Sequence, residues 1–144
     1  MSLQVEKITR DDQLKSAFWI RTQVFVLEQK VDPKDEYDEY ESSSIHFLAC
    51  LENKPVGTAR WRLTPNGVKL ERFAVLEEVR GKGVGQALVA AVLKDIKDNP
   101  NAEGKKKYLH SQLSAVPLYS KFGFEKSGDI FEECNIMHYT MQLA

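Results

Sequence analysis

Apolar and polar residues alternate from Leu3 to Ile8, the period of a short strand. Thr9-Arg10-Asp11-Asp12 then supplies a hydroxyl and two carboxylates, a helix-start composition because acidic side chains suit the positive end of the helix dipole. Leu14, Phe18 and Phe25 recur at helical spacing, which predicts an amphipathic helix over residues 11–28. Ile45–Leu51 and Pro55–Leu63 read as strands separated by Asn53 and Lys54. In the second strand Ala59, Trp61 and Leu63 fall on one face, and Thr58, Arg60 and Arg62 on the other. Thr64-Pro65-Asn66-Gly67 is a turn sequence, so Val68–Val75 should return as the paired strand.

Residues 83–97 form the second predicted helix, with Leu88, Val92 and Ile96 as its apolar stripe. Asp98 to Lys107 is polar and turn-rich. Beyond it come a strand over Tyr108–Leu113, a short helix over Ala115–Phe122 stopped at Gly123, and final strands over Phe124–Gly128 and Ile136–Leu143. The order β-α-β-β-β-α-β-α-β-β predicts an α/β fold, a mixed central sheet flanked by helices. No repeat or low-complexity linker interrupts it, and one domain is expected over residues 1–144.

Composition narrows the function classes. A hydrophobic fraction of 42% with 28% charged residues argues for a packed globular chain over a disordered one. Twenty basic against twenty-one acidic residues leave no cationic excess to displace counterions, so no nucleic-acid partner is expected. The longest purely apolar run, Ala87–Leu93, is seven residues, far short of the roughly 20 that span a bilayer. The amino-terminal MSLQVEKITRDD has no apolar core of the signal-peptide type. No membrane partner and a cytoplasmic location are therefore expected. Cys50 and Cys134 cannot build a disulfide framework, and no histidine or cysteine cluster has metal-ligand spacing. Asp32 to Glu41 holds six carboxylates against one lysine and should be an exposed, solvated loop; its other reading is an attractor for a cationic amine.

The most informative segment is Arg80-Gly81-Lys82-Gly83-Val84-Gly85-Gln86, a glycine-rich turn between a strand and a helix start. Such a turn lets the backbone approach an anion, and the free N–H groups of a helix start favour a phosphate. The nucleotide P-loop and the dinucleotide fingerprint both fail on spacing: no Gly-Lys-Ser/Thr follows, and the sixth position from Gly81 is Gln86. Instead, Arg80-x-x-Gly83-x-Gly85 resembles the phosphate-binding signature of the GNAT superfamily of N-acetyltransferases. Leu118-Tyr119-Ser120-Lys121-Phe122-Gly123-Phe124 resembles that superfamily's late Leu-Tyr-x-Lys-x-Gly-Phe segment. Val24–Gln29, Asp35–Asp38, Gly57–Arg60 and Ile136–His138 are similar to its bacterial ElaA/YjcF-like branch.

That resemblance implies a GNAT-type fold and transfer of acetyl from acetyl-CoA to a primary amine by direct attack. The loop from Arg80 to Gln86 would hold the pyrophosphate, and main-chain groups of Phe73, Ala74 and Val75 the pantetheine arm. Tyr119 would be the general acid for the departing thiolate; its residue chemistry alone favours a core tyrosine. Glu71 lies where some relatives carry a base, but Arg60, Arg62, Lys69 or Arg72 could equally pair with it. His110 and Gln112 share a strand face beside Tyr119 and, with Glu28 and Gln29, are candidate acceptor-lining residues. His46 and His138 are expected to be core or rim residues, and Cys134 has no base at telling spacing. The rival reading is a non-catalytic acyl-CoA-binding sensor on the same fold. Self-association as a homodimer is left open.

Overall fold

The alternating segments become strands in a computed structural model that describes residues 2–143. The two end residues of the domain expected over 1–144 lie outside the described residues. Along the chain come β1 (Leu3–Lys7), α1 (Asp11–Arg21), a π-helical segment (Thr22–Glu28), α2 (Pro33–Glu36), β2 (Ile45–Leu51), β3 (Lys54–Thr64) and β4 (Gly67–Val75). They are followed by α3 (Val84–Asp98), β5 (Lys107–Gln112), α4 (Val116–Ser120), β6 (Phe124–Glu133) and β7 (Ile136–Leu143). The seven strands form one sheet in the order β1-β2-β3-β4-β5-β7-β6. Among its neighbouring pairs only β4 and β5 run parallel, as a connection through a crossover helix requires. No helix among the described residues is long and apolar enough to cross a membrane.

Turn chemistry sets the hairpins. Glu52 and Asn53 both take left-handed backbone angles between β2 and β3, the geometry of a tight two-residue turn. Helix α3 buries Val84, Leu88, Val89, Val92 and Ile96, which contains the predicted stripe. It lies close on β3 because Gly57 has no side chain there; an added Cβ would meet Val84 Cγ1 at 2.9 Å.

Three expectations need correction. The helix expected over residues 11–28 leaves the α form at Thr22 and continues with π hydrogen bonding. Its buried face is Gln13, Ala17, Ile20, Arg21 and Val24, whereas Leu14, Phe18 and Phe25 are only half-buried. The acidic segment is only in part a solvated loop: Asp32, Asp35 and Glu39 are exposed, but the rest is held in place. Pro33–Glu36 is helical, Asp32 caps it through the Lys34 N–H, and Glu36 is 2% exposed. Buried arginines hold it down: Arg21 Nε lies 3.0 Å from Glu36 Oε1, and Arg60 Nη2 lies 2.7 Å from Asp38 Oδ2. Finally, β6 runs to Glu133 rather than Gly128, with an irregularity before Phe131 restores its pairing with β7.

Candidate active site

The site begins where β4 and β5 part. They pair only through Val68–Leu70 against Lys107–Leu109. Past that point β4 carries an extra residue relative to β3, because Arg60 opposes Glu71 while Thr58 opposes Ala74. A bulge of this kind bends the strand and re-aims its groups. Arg72 sits in it with φ 58°, a left-handed angle that a non-glycine residue adopts only when its surroundings impose it. Its guanidinium is anchored at 3.2 Å to the Glu36 carbonyl and at 3.3 Å to Asp38 Oδ2. The widening gap is a cavity of about 300 Å³. Phe25 lines it from the π-helical segment and Gln29 from the residue that caps it, Phe73 from β4, His110 and Gln112 from β5, and Tyr119 from α4.

Tyr119 is 6% exposed, with its ring set edgewise against Phe73 at 5.6 Å and Phe124 at 6.2 Å. Burial pushes its phenol well above the usual range, with no neighbouring charge to offset it. The hydroxyl therefore keeps its proton at neutral pH and faces incoming groups as a donor.

Glu71 has the opposite surroundings. Arg60 Nε and Arg62 Nε donate to its Oε2 at 2.8 and 2.7 Å, and Lys69 Nζ lies 3.3 Å from Oε1. Burial pushes its carboxyl up, but Arg60, Lys69, Arg62 and Arg72 outweigh it and hold the value at about 2. A carboxylate this well satisfied has little affinity for a proton at neutral pH. Of the two roles open from sequence, the geometry favours the ion pair.

The glycine loop lies beyond this cavity. Of the residues assigned to the acetyl carrier, Phe73 lines it, whereas Ala74, Val75 and Arg80 to Gln86 do not. Gly81 and Gly83 have φ of 82° and 86°, and an added Cβ at either would meet nothing within 4 Å. That open space above left-handed glycines leaves room for a phosphate against the first turn of α3, whose N–H groups have no partner within the helix. Lys82 lies between those two glycines, and Val84, Gly85 and Gln86 open the helix. Arg80 is turned towards Glu28, with two contacts of 2.7 Å, and donates from Nε to the Val75 carbonyl at 3.0 Å. Glu28, expected beside the acceptor, is thus tied to the loop and does not line the cavity. Gln29 and Gln112 do line it, and exchange amide hydrogen bonds of 3.3 and 2.9 Å across it.

Sequence reasoning named Arg72 only as a possible partner of Glu71, and did not single out Glu36 or Glu133. Glu36 keeps one buried carboxylate oxygen, Oε2, without a hydrogen-bond partner. Burial pushes its carboxyl up against the pull of Arg21 and Arg72. His46 is a core residue as expected, with Nε2 2.7 Å from the Glu41 carbonyl.

Comparison with known proteins agrees with this architecture. The family model for the acetyltransferase (GNAT) domain matches residues 8–144. The chain is 40% identical over 132 residues to the uncharacterized N-acetyltransferase YjcF of Bacillus subtilis, covering 91% of this chain and 92% of that protein. The crystal structure of Escherichia coli ElaA superposes with a TM-score of 0.85 at 25% identity, covering 99% of this chain and 100% of that one. Arabidopsis thaliana Naa50, solved in complex with the bisubstrate analogue CoA-Ac-MVNAL, superposes at 0.72 and 25% identity over 100% and 99% of the two chains.

Proposed function

The chain belongs to the GNAT acetyltransferase family, in its ElaA/YjcF-like branch, and on that footing we propose that this acyltransferase moves an acetyl group from acetyl-CoA to a primary amine of a small molecule or peptide. The observation that carries the reading is the cavity at the parting of β4 and β5, closed on one side by the buried, protonated Tyr119. The acetyl carrier would supply a thioester. The chain's own part is to hold it, keep water away and give a proton to the sulfur that leaves. Phe73, Ala74 and Val75 form the end of β4 along which the carrier's arm would lie. Arg80, Gly81, Lys82, Gly83, Val84, Gly85 and Gln86 would take its phosphates through main-chain N–H groups.

An amine acceptor is supported by the cavity's acids. Asp35, Glu36 and Glu133 line it. Gln29, His110 and Gln112 would shape the acceptor's fit, with Glu28 acting one step away through Arg80. The test is release of free thiol from acetyl-CoA against a panel of polyamines, amino sugars, amino acids and peptides. Thiol release with an acylated amine product supports the transferase. Tight binding of acetyl-CoA without turnover on any acceptor would leave the acyl-CoA sensor instead.

A further inference from the structure

Opposite β4, the ends of three strands bring a carboxylate between two imidazoles, and the role assigned to them here rests on the transferase reading above. His138 on β7 lies across from Gln112 of β5 and from Phe131 of β6. It is 6% exposed and its ring stacks on Phe131, with centroids 5.7 Å apart and planes 23° apart. Its Nδ1 is 2.7 Å from the Ile136 carbonyl oxygen. A carbonyl only accepts, so Nδ1 carries the proton, and in the neutral ring Nε2 carries the lone pair. Nε2 lies 3.9 Å from Glu133 Oε2, while Glu133 Oε1 is 3.4 Å from His110 Nδ1.

Two acceptors at that separation cannot bond to each other. A single nitrogen bearing hydrogens can reach both at about 2.8–2.9 Å. Both residues line the cavity that holds Tyr119. We propose that His138 Nε2 and Glu133 Oε2 seat the acceptor's ammonium group, and that His138 Nε2 is the base that frees it for attack. One N–H bond of the ammonium breaks and its electron pair stays on the amine nitrogen. The proton bonds to Nε2, giving a neutral amine and an imidazolium beside the Glu133 carboxylate, and it leaves to water after transfer. Glu71 is saturated with cations, and Tyr119 is a donor, so neither competes for this role. The other charged or titratable groups lining the cavity are His110 on β5, Arg62 on β3, Lys69 and Arg72 on β4, Asp35 and Glu36 on α2, Asp38 just beyond it, and Cys134 in the turn between β6 and β7.

The experiment compares the native protein with His138→Asn, whose amide keeps a donor for the Ile136 carbonyl but has no basic nitrogen. The acceptor kcat/KM should fall about 10²-fold or more, and the acidic limb of its pH profile should lose an ionisation. The thermal shift given by acetyl-CoA should stay as in the native protein. Long-range ¹H–¹⁵N spectra of the native protein should show the neutral His138 ring protonated on Nδ1 and bare on Nε2. That measurement decides the point even if the variant does not fold. A ring bare on Nδ1, or a variant with native rate and profile, would overturn the proposal alone. Native protein that releases no thiol with any amine would overturn the transferase reading and this one together.

Discussion

The two walls of the cavity use charge in opposite ways. On the β4 side, Glu71, Asp38 and Glu41 are matched against Arg60, Arg62, Lys69 and Arg72 within a few ångströms. Arg60 is 0% exposed, and its neighbours consume the hydrogen-bonding capacity it offers. On the side formed by β5, α4, β6 and β7, Tyr119 is perturbed by burial alone, and Glu133 faces two imidazoles. Proximity to the cavity is therefore a poor guide to chemistry. A group is available to a substrate when the protein has not already satisfied it, and by that measure the β4 wall is scaffold, while the unsatisfied groups lie on the other wall.

The largest effect should come from breaking the scaffold. Arg60→Leu strands three carboxylates around a buried site, and removing one partner of a buried pair costs about 3–5 kcal/mol. Urea denaturation would read it, and a loss below about 1 kcal/mol would mean that the network is loosely solvated. Acid should act on the same wall. Glu71 is held at about 2 in the folded chain against an ordinary 4.5. Above the ordinary value its ion pairs contribute fully, and as pH falls from 4.5 towards 2 the unfolded chain takes the proton first, so stability drops by about 3 kcal/mol. Glu71→Gln should remove that slope and leave the shape of the pH–rate profile intact. Disappearance of the profile's acidic limb in this variant would return Glu71 to the role of base.

Tyr119→Phe tests the other wall. It should lower kcat by about 10²-fold while acetyl-CoA affinity holds. No protein partner loses a hydrogen bond, so its urea stability should stay within about 1 kcal/mol of the native value. Full activity would make Tyr119 a core residue. The smallest effect is expected at the border between the walls and the loop. Glu28→Gln releases Arg80 from a partly exposed pair, which is worth about 0–1 kcal/mol. A larger loss would show that the pair holds the π-helical segment in place.

Elements whose information is local were legible in the sequence. The apolar run of β2, the stripe of α3 and the glycines that open it depend on neighbours a few residues away. The short helix ends earlier than expected, at Ser120, and Gly123 with φ 92° closes the turn that follows it. Tyr119 was reachable only through its resemblance to a family segment, since its residue chemistry alone favours a core residue. The acidic segment misled because its solvation depends on Arg21 and Arg60, cations placed beside it only by the folding of α1 and β3. The bulge at Arg72 leaves no trace in residue type, for an arginine is not a residue that turns usually demand. His138 was unremarkable as one histidine on a strand. Its meaning came from the Ile136 carbonyl, which sets the tautomer, and from Glu133, which the hairpin of β6 and β7 brings alongside.

The short parallel pairing of β4 with β5 has a consequence for how the molecule forms and breathes. Three residue pairs stitch together two sets of strands, and each set can otherwise zip through antiparallel neighbours. That stitch is the one strand junction that must wait for the whole α3 crossover to be laid down, so it closes a long loop for few contacts. It should accordingly be the weakest cooperative boundary in the sheet, with amide hydrogens at Val68–Leu70 and Lys107–Leu109 exchanging through partial openings before the strands on either side. The cavity lined by Leu70 and Leu109 thus sits at the end of the sheet's shortest pairing, and any opening there is set by the strand register itself.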